Sequence, residues 1–509
     1  MESLTEKVVE GSFWAGMASV ISRFGALIFS ILLARFLLPE LFGLYSLTMS
    51  IALLFMIVCD LGINETLIRY VAFYKKKEKI AAYSGYLLKV KFYFSLVFSF
   101  ILLAGAYPLA VFVFRKPELF FPLILSSLFV LSSSIVSFYS SLLYAVKKTK
   151  YIFLKEVILQ ILQISSVVFI FLFFSYSAYV PAVIIAAILV NLVILMFLRR
   201  SVVKTVPYAF KPTDEKIDNK DLFKFLAYAS IISVSGLLFT YADTIILGFF
   251  VSFAYIGYYK VAFGLIFGII GLFSYLGTVI LPIFTRLKNQ RAERAINKVL
   301  RIVMIFAIPT AFGLIILGRY FIKLLYGDAY LAAAPVFNIL AVLLMVYLPS
   351  TLILTVFFSM GKAKKAAQIN LLSLALAVAL ELIFLLVFAG YSEALSLTGI
   401  AAIVVFSRAV TLFYTFFLVK KETGIRINLK QFAKPFISAL VMALVLYSMN
   451  HYVIKDMSLF WGIAEIIIGM IVYALVMTLM RGITKEDFKL IRMIPLKKDV
   501  ISFFKKKDE

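Results

Sequence analysis

The chain has 509 residues, 63% of them apolar and 15% charged, yet 51 lysines and arginines against 26 acids leave a formal charge of +25. A soluble domain carries about 45–50% apolar and about 25% charged residues, so this composition, with a mean hydropathy of +1.04, describes a chain dissolved in lipid. The few charges, the lack of a glycine period and the single cysteine, Cys59, together exclude disorder, coiled coil, a collagen-like rod and a disulfide scaffold.

A bilayer-crossing helix needs roughly 20 mostly apolar residues with few charges inside it. In chain order the segments that meet this test are 12–34, 44–60, 88–113, 119–146, 156–174, 179–198, 225–249, 257–284, 302–317, 332–359, 366–389, 394–419, 433–450 and 459–480. The sequence therefore predicts an all-α polytopic membrane protein with about 14 transmembrane helices. Glu2, Glu6 and Glu10 spoil a basic leader, and the first apolar run is too long for one, so the first segment reads as a span rather than a cleaved signal peptide.

Alternating the loops across the membrane sorts the basic residues. With the N-terminus cytoplasmic, the inner loops and tail hold 42 of the 51, including Lys75, Lys76, Lys77, Lys79, Lys89 and Lys91 after the second span, while the outer loops hold six. The remaining three, Arg23, Lys260 and Arg408, lie inside spans. This asymmetry predicts that both termini are cytoplasmic and that the basic excess meets anionic inner-leaflet lipid. Nucleic acid is not implied, because the longest loop, of about 25 residues, is too short for a module that presents aromatics and arginines. Two basic stretches read as helices lying on the membrane: Leu67, Ile68, Val71 and Ala72 before the lysine run, and Phe488, Ile491 and Ile494 in the tail.

The stretch after the first span repeats after the seventh. Ala34 pairs with Gly248, Phe36 with Phe250, Gly43 with Gly257 and Tyr45 with Tyr259, all at an offset of 214. Six spans separate the two stretches, so the halves run in the same direction and make a parallel repeat, a transporter architecture. The division that follows is an N-lobe over 1–199, a linker over 200–224 with Pro207, Pro212, Asp214, Glu215, Asp218 and Asp221, a C-lobe over 225–419, two accessory helices over 433–480 and a basic tail over 481–509.

An ionisable residue inside a span is costly and is a functional-site hypothesis by default. Arg23 and Arg408 are near the middle of the first and twelfth spans. The first span offers Arg23 no acid at helical spacing, which favours a water-filled cavity over an ion pair between helices. Asp243 and Lys260 flank the turn between spans seven and eight, where a mutual salt bridge competes with a gate or ion-coupling role. Glu381 and Glu465 are intramembrane carboxyls of the kind a proton-coupling site uses. Asp60, Asn64 and Arg69 cluster at the inner end of the second span, where they are expected to cap the helix and meet headgroups. Gly264-x-x-x-Gly268 is expected to let a neighbouring helix approach closely.

Several chemistries are excluded. There is no Gly-x-x-x-x-Gly-Lys-Ser/Thr loop, and with His451 and Cys59 each alone of their kind there is no zinc site, Ser/His/Asp triad or Cys/His pair. The outer loops are short and mostly carry one acid each, unlike a membrane glycosyltransferase with paired carboxylates. An enzyme is therefore not expected.

The segments Gly11-Ser-Phe-Trp14, Ala34-Arg-Phe-Leu-Leu-Pro-Glu-Leu-Phe-Gly-Leu-Tyr45, Asp60-Leu-Gly-Ile-Asn64, Asp243-Thr-Ile-Ile-Leu-Gly248 and Ile256-Gly-Tyr-Tyr259 resemble polysaccharide flippases of the multidrug/oligosaccharidyl-lipid/polysaccharide exporter superfamily. The resemblance covers nearly the whole chain. It implies two six-helix lobes facing a central cavity that opens alternately to either side, plus two C-terminal helices. It also implies an oligosaccharide on a polyprenyl phosphate or pyrophosphate as cargo, with Arg23, Arg408 and Lys260 meeting the phosphate and Asp243, Glu381 and Glu465 available for gating or coupling to H+ or Na+. No cofactor or metal is implied, and a monomer in the plasma membrane is expected. The alternatives within the superfamily are a cation-exporting multidrug antiporter, which needs carboxylates in the first lobe, and a flippase for the peptidoglycan precursor lipid II, which needs more basic residues there.

Overall fold

The structure, a computed structural model, describes residues 4–74, 76–213, 215, 217, 219–284, 289–360, 362–388, 390–452 and 459–482. Among them the α-helices are, in order, α1 (Leu4–Asp60), α2 (Ile63–Phe73), α3 (Lys77–Pro108), α4 (Phe120–Ala145), α5 (Thr149–Phe173), α6 (Tyr179–Thr205), α7 (Asn219–Phe250), α8 (Phe253–Phe284), α9 (Asn289–Tyr326), α10 (Ala334–Ala341), α11 (Leu343–Ser359), α12 (Ala363–Phe388), α13 (Glu393–Thr423), α14 (Ala433–Tyr452) and α15 (Leu459–Leu479). Eleven helices among the described residues are long and apolar enough to cross a membrane, or twelve if α10 and α11, bent by 43°, make one span. Lipid offers no partner to a bare peptide group, so helices that satisfy their own backbone are the expected way across. The predicted spans all fall on helix. The first two are the halves of α1, the tenth is the bent pair, and the seventh is on α7, whose described apolar stretch is Thr240–Phe250.

The halves of α1 meet at a kink. Leu38 has φ 57° and ψ 170°, and Pro39 follows it. The proline ring disfavours helical geometry in the residue before it, and a bulky residue at positive φ costs of order 1–3 kcal/mol unless its surroundings impose it. Here the surroundings do. A Cβ on Gly43 would overlap the Phe253 carbonyl oxygen, and one on Gly257 would overlap the Pro39 carbonyl oxygen. Gly43 and Gly257 are a pair at the 214 offset, and so are Pro39 and Phe253. The two repeated turns thus interlock reciprocally, backbone against backbone, which only glycine permits. Lys116 secures the same end by donating to the carbonyls of Gly248 at 2.7 Å and Val251 at 2.5 Å.

The described residues up to Gly257 form one compact unit and those from Tyr258 a second. In the first, α1 lies along α5, and α4 packs between α3 and α6. The segment between α6 and α7 is held in this unit's core, where Val206, Ala209 and Leu222 join Leu67, Leu87, Phe138 and Ile194. The Tyr70 hydroxyl donates to Asp221 at 2.7 Å, and the Arg69 guanidinium lies 4.1 Å over Phe225. Burial and the Asp221 carboxylate push the Tyr70 phenol above its usual range. The reading of α2 as a surface helix needs correction at two residues. Leu67 and Val71 are buried against protein, and only Ile68, Ala72 and Phe73, the last 75% exposed, are left for lipid. The second predicted surface stretch, Phe488, Ile491 and Ile494, lies outside the described residues.

In the second unit α9 packs on α10, α11 and α14, α13 on α10, α11 and α12, and α15 on α14 and α9. Lys362 donates to the Glu422 carbonyl at 2.7 Å and its carboxylate at 3.0 Å, tying the start of α12 to the end of α13. Among the described residues no atom lies within 4 Å of where a Cβ on Gly264 would stand, so no close approach is seen at that glycine. Contacts that need glycine fall instead at Gly43, Gly257, Gly25 and Gly462.

Candidate functional site

Arg23 is exposed on the first half of α1. Two ring contacts fix α1 against α5 on either side of it: Trp14 with Phe153, 4.9 Å between centroids, and Phe36 stacked on Phe171 at 4.1 Å. Both pairs advance together along the chain, so the helices are parallel. Between them Gly25, two residues past Arg23, brings α1 directly onto the Gln160 side chain, which fills the space a Cβ would take. Glu156, Gln160 and Gln163 follow at i, i+4 and i+7 on one face of α5. Glu156 accepts from Lys155 at 2.6 Å. Its second oxygen and the Gln160 carbonyl oxygen are buried without a hydrogen-bond partner among the described residues. Arg23 is two residues, about 200° of helix rotation, from Gly25, so its exposed guanidinium stands on the face of α1 away from α5, where a planar cation can hold an anion.

A second polar cluster lies deeper in the first unit. The Lys91 ammonium, with its side chain fully buried, is ion-paired with Asp60, whose side chain is 17% exposed. One turn along α3, Ser95 hydrogen-bonds Ser134 of α4 at 2.5 Å. Asn64 donates to Ser137 at 3.2 Å, and Asn191 of α6 donates to Ser132 at 3.2 Å and Ser133 at 2.7 Å. This corrects two expectations. Lys91 is a cation buried between helices rather than an exposed surface one, and Asp60 and Asn64 bind neighbouring helices rather than headgroups. Hydropathy placed Lys91 at a span's edge, where a lysine is cheap, and did not single out the Ser132-Ser133-Ser134 run, whose hydroxyls also bond their own helix. That run, with Ser137 one helical turn on, was the available signal. Polar side chains between spanning helices act as glue.

The other sequence candidates divide between the units. Asp243, 2% exposed, is on α7 in the first unit, and Lys260, half-buried, is on α8 in the second with its ammonium 5.8 Å from the Phe263 ring centre. Their pairing stays a proposal. Arg408 on α13 is 7% exposed and stands 5.2 Å over the Tyr347 ring of α11, a cation–π contact that orients the guanidinium. Glu381 on α12 and Glu465 on α15 are fully buried. No group of three or more His, Cys, Asp or Glu that could hold a metal occurs among the described residues.

Comparison with known proteins gives three kinds of finding. A family model described as "Polysaccharide biosynthesis protein" matches residues 8–288, over half of the chain. The chain is 25% identical over 283 residues to a probable low-salt glycan biosynthesis flippase, Agl15, of Haloferax volcanii, a match that covers 54% of this chain and 58% of that one. It is also 25% identical over 363 residues to an uncharacterized membrane protein, MJ1068, of Methanocaldococcus jannaschii, covering 67% and 71%. Among solved structures, the lipid II flippase MurJ in an inward closed conformation superposes with a TM-score of 0.70 at 18% identity, covering 92% of this chain and 98% of that one. An inward-facing multidrug-resistance transporter of the MATE family, of the MOP superfamily, superposes with a TM-score of 0.59 at 15% identity, covering 81% and 94%. At such identities the superpositions show a common fold.

Proposed function

Because this chain belongs to the polysaccharide biosynthesis protein family, we propose that it flips a lipid-linked oligosaccharide from the inner to the outer leaflet for assembly of a surface polysaccharide or glycan. The carrier is a polyprenyl phosphate or pyrophosphate, and the mechanism is alternating access. The observation that carries this reading is Arg23, an exposed cation midway along the first half of α1. A headgroup crossing the bilayer must exchange water for protein contacts while its prenyl tail stays in hydrocarbon. Two unit charges 4 Å apart attract by about 1 kcal/mol in water and about 4 kcal/mol near an effective dielectric of 20. A guanidinium in a partly dehydrated site therefore holds a phosphate well. Arg408, oriented on Tyr347, and Lys260 are further phosphate contacts in the second unit.

A cation exporter needs an uncompensated carboxylate among the first six spans. Asp60 is paired with Lys91 and Glu156 with Lys155, which supports an anionic cargo. In this reading Asp243, Glu381 and Glu465 gate or couple transport to H+ or Na+. The protein acts as a monomer in the plasma membrane, with both termini cytoplasmic and its basic loops on anionic inner-leaflet lipid.

Depletion of the protein tests the reading directly. The pool of lipid-linked oligosaccharide open to a membrane-impermeant glycosidase should fall while the total pool is kept or grows. An outer pool equal to the parent's overturns it.

A further inference from the structure

The α15 helix carries a polar site apart from the residues proposed to hold the cargo's phosphate. Glu465 is completely buried, and neither carboxylate oxygen has a hydrogen-bond partner among the described residues. No lysine, arginine or histidine among those residues forms an ion pair with it. One turn earlier on the same face is Gly462, and the Tyr320 ring of α9 occupies the space its Cβ would fill. The Tyr320 side chain is 6% exposed, its hydroxyl is buried without a partner, and it lies within electrostatic reach of Glu465. Two helices thus meet through a glycine at a carboxyl and a phenol, both unsatisfied.

We propose that Glu465 and Tyr320 form a proton-binding site that docks α15 on α9. A charge left uncompensated between spanning helices is expensive, and a neutral polar group buried without a partner costs much less but is still disfavoured. A proton cancels the charge, adds no volume and turns the carboxyl into a donor that Tyr320 can accept from. A metal cation fits poorly, since sodium-sized ions take several oxygens and this site offers one carboxyl and one phenol. The other groups on the packed elements do not compete. On α9, Arg319 and Lys323 are exposed, and Lys323 is held by Asp328 at 3.0 Å. On α14, His451 is exposed and stacked with Tyr447. Tyr473, two turns further on α15, donates to the Ile305 carbonyl at 2.7 Å. Glu465 is six residues from the start of α15, about 9 Å at 1.5 Å per residue, at the end that the charge asymmetry assigns to the outside. The proton therefore exchanges with external water. Its coupling to transport rests on the flippase reading, but the site itself does not.

The test uses the full-length chain purified in lipid nanodiscs at neutral pH. The infrared difference between the parent and Glu465→Gln should contain the C=O stretch of a protonated carboxylic acid, and Tyr320→Phe should shift that band. Adding Na+ at constant pH should leave it in place. As the proton is a ligand of the folded form, the parent's unfolding temperature should fall as pH is raised while that of Glu465→Gln stays level. A difference spectrum with only carboxylate bands, or a band that Na+ abolishes, overturns the proposal. If Glu465→Gln does not fold, Tyr320→Phe decides: an unshifted carboxyl band refutes the pairing. The band without glycan-lipid flipping means the site stands and the cargo is wrong. Flipping without the band means the reverse.

Discussion

Replacing Lys91 by methionine keeps the length of the side chain and removes its charge, which strands Asp60. The Lys91 side chain is fully buried and that of Asp60 is 17% exposed, so water cannot replace the lost partner. Breaking a buried pair from one side costs about 3–5 kcal/mol, whereas replacing both members is often close to neutral. Lys91→Met should therefore lower the apparent unfolding temperature in nanodiscs by about 6–20 °C, taking about 2–4 °C per kcal/mol for a unit of this size. Asp60→Asn together with Lys91→Met should regain most of that loss. Asp60→Asn alone, which strands the fully buried Lys91 ammonium, should cost at least as much as Lys91→Met and completes the cycle. The assay is thermal unfolding of the four proteins at one pH and one lipid composition. An unchanged Lys91→Met protein, or a double variant less stable than either single one, would refute the view that the pair compensates itself inside the membrane.

The reciprocal turns predict that Gly43→Ala and Gly257→Ala each push a methyl group against a carbonyl of the opposite turn. Each should cost about 1–3 kcal/mol by the usual penalty for overpacking, and their combination should cost less than the sum, because either one alone already opens the clasp. Thermal unfolding checks both points. Gly264→Ala has open space before it and should be tolerated without loss of stability. Tyr70→Phe removes the hydrogen bond to Asp221 and should cost about 1 kcal/mol, with faster proteolysis between α6 and α7 as the sensitive readout.

The spans were legible because lipid makes a single demand on every one of them, some 20 residues without net charge, and a hydropathy pattern records that demand locally. The partners of the polar residues were not. Lys91 reads as an interfacial lysine until Asp60, 31 positions earlier, is brought to it, and nothing local to Gly462 on α15 announces the Tyr320 ring of α9 that packs on it. Glycine shows the same division. The motif at Gly264 looks like a packing signature by spacing alone, yet among the described residues nothing packs against Gly264. Gly43 and Gly257 carried no packing motif but were marked by the repeat, since a symmetric contact constrains both copies alike. Arg23 stood out for a simpler reason: a charge in the middle of an apolar run is costly and draws notice without any partner in view.

The central claim is that Arg23 holds the phosphate of a glycan lipid during crossing. It is tested most directly by the rate at which lipid-linked oligosaccharide becomes accessible at the outer face in cells carrying Arg23→Ala, compared with the parent at equal protein level. A charge-assisted contact contributes about 1.5–3 kcal/mol, so the rate should fall roughly 10- to 150-fold. Arg23→Lys should recover part of it, because it restores the charge without the planar fork. A rate in Arg23→Ala equal to the parent's would contradict the account.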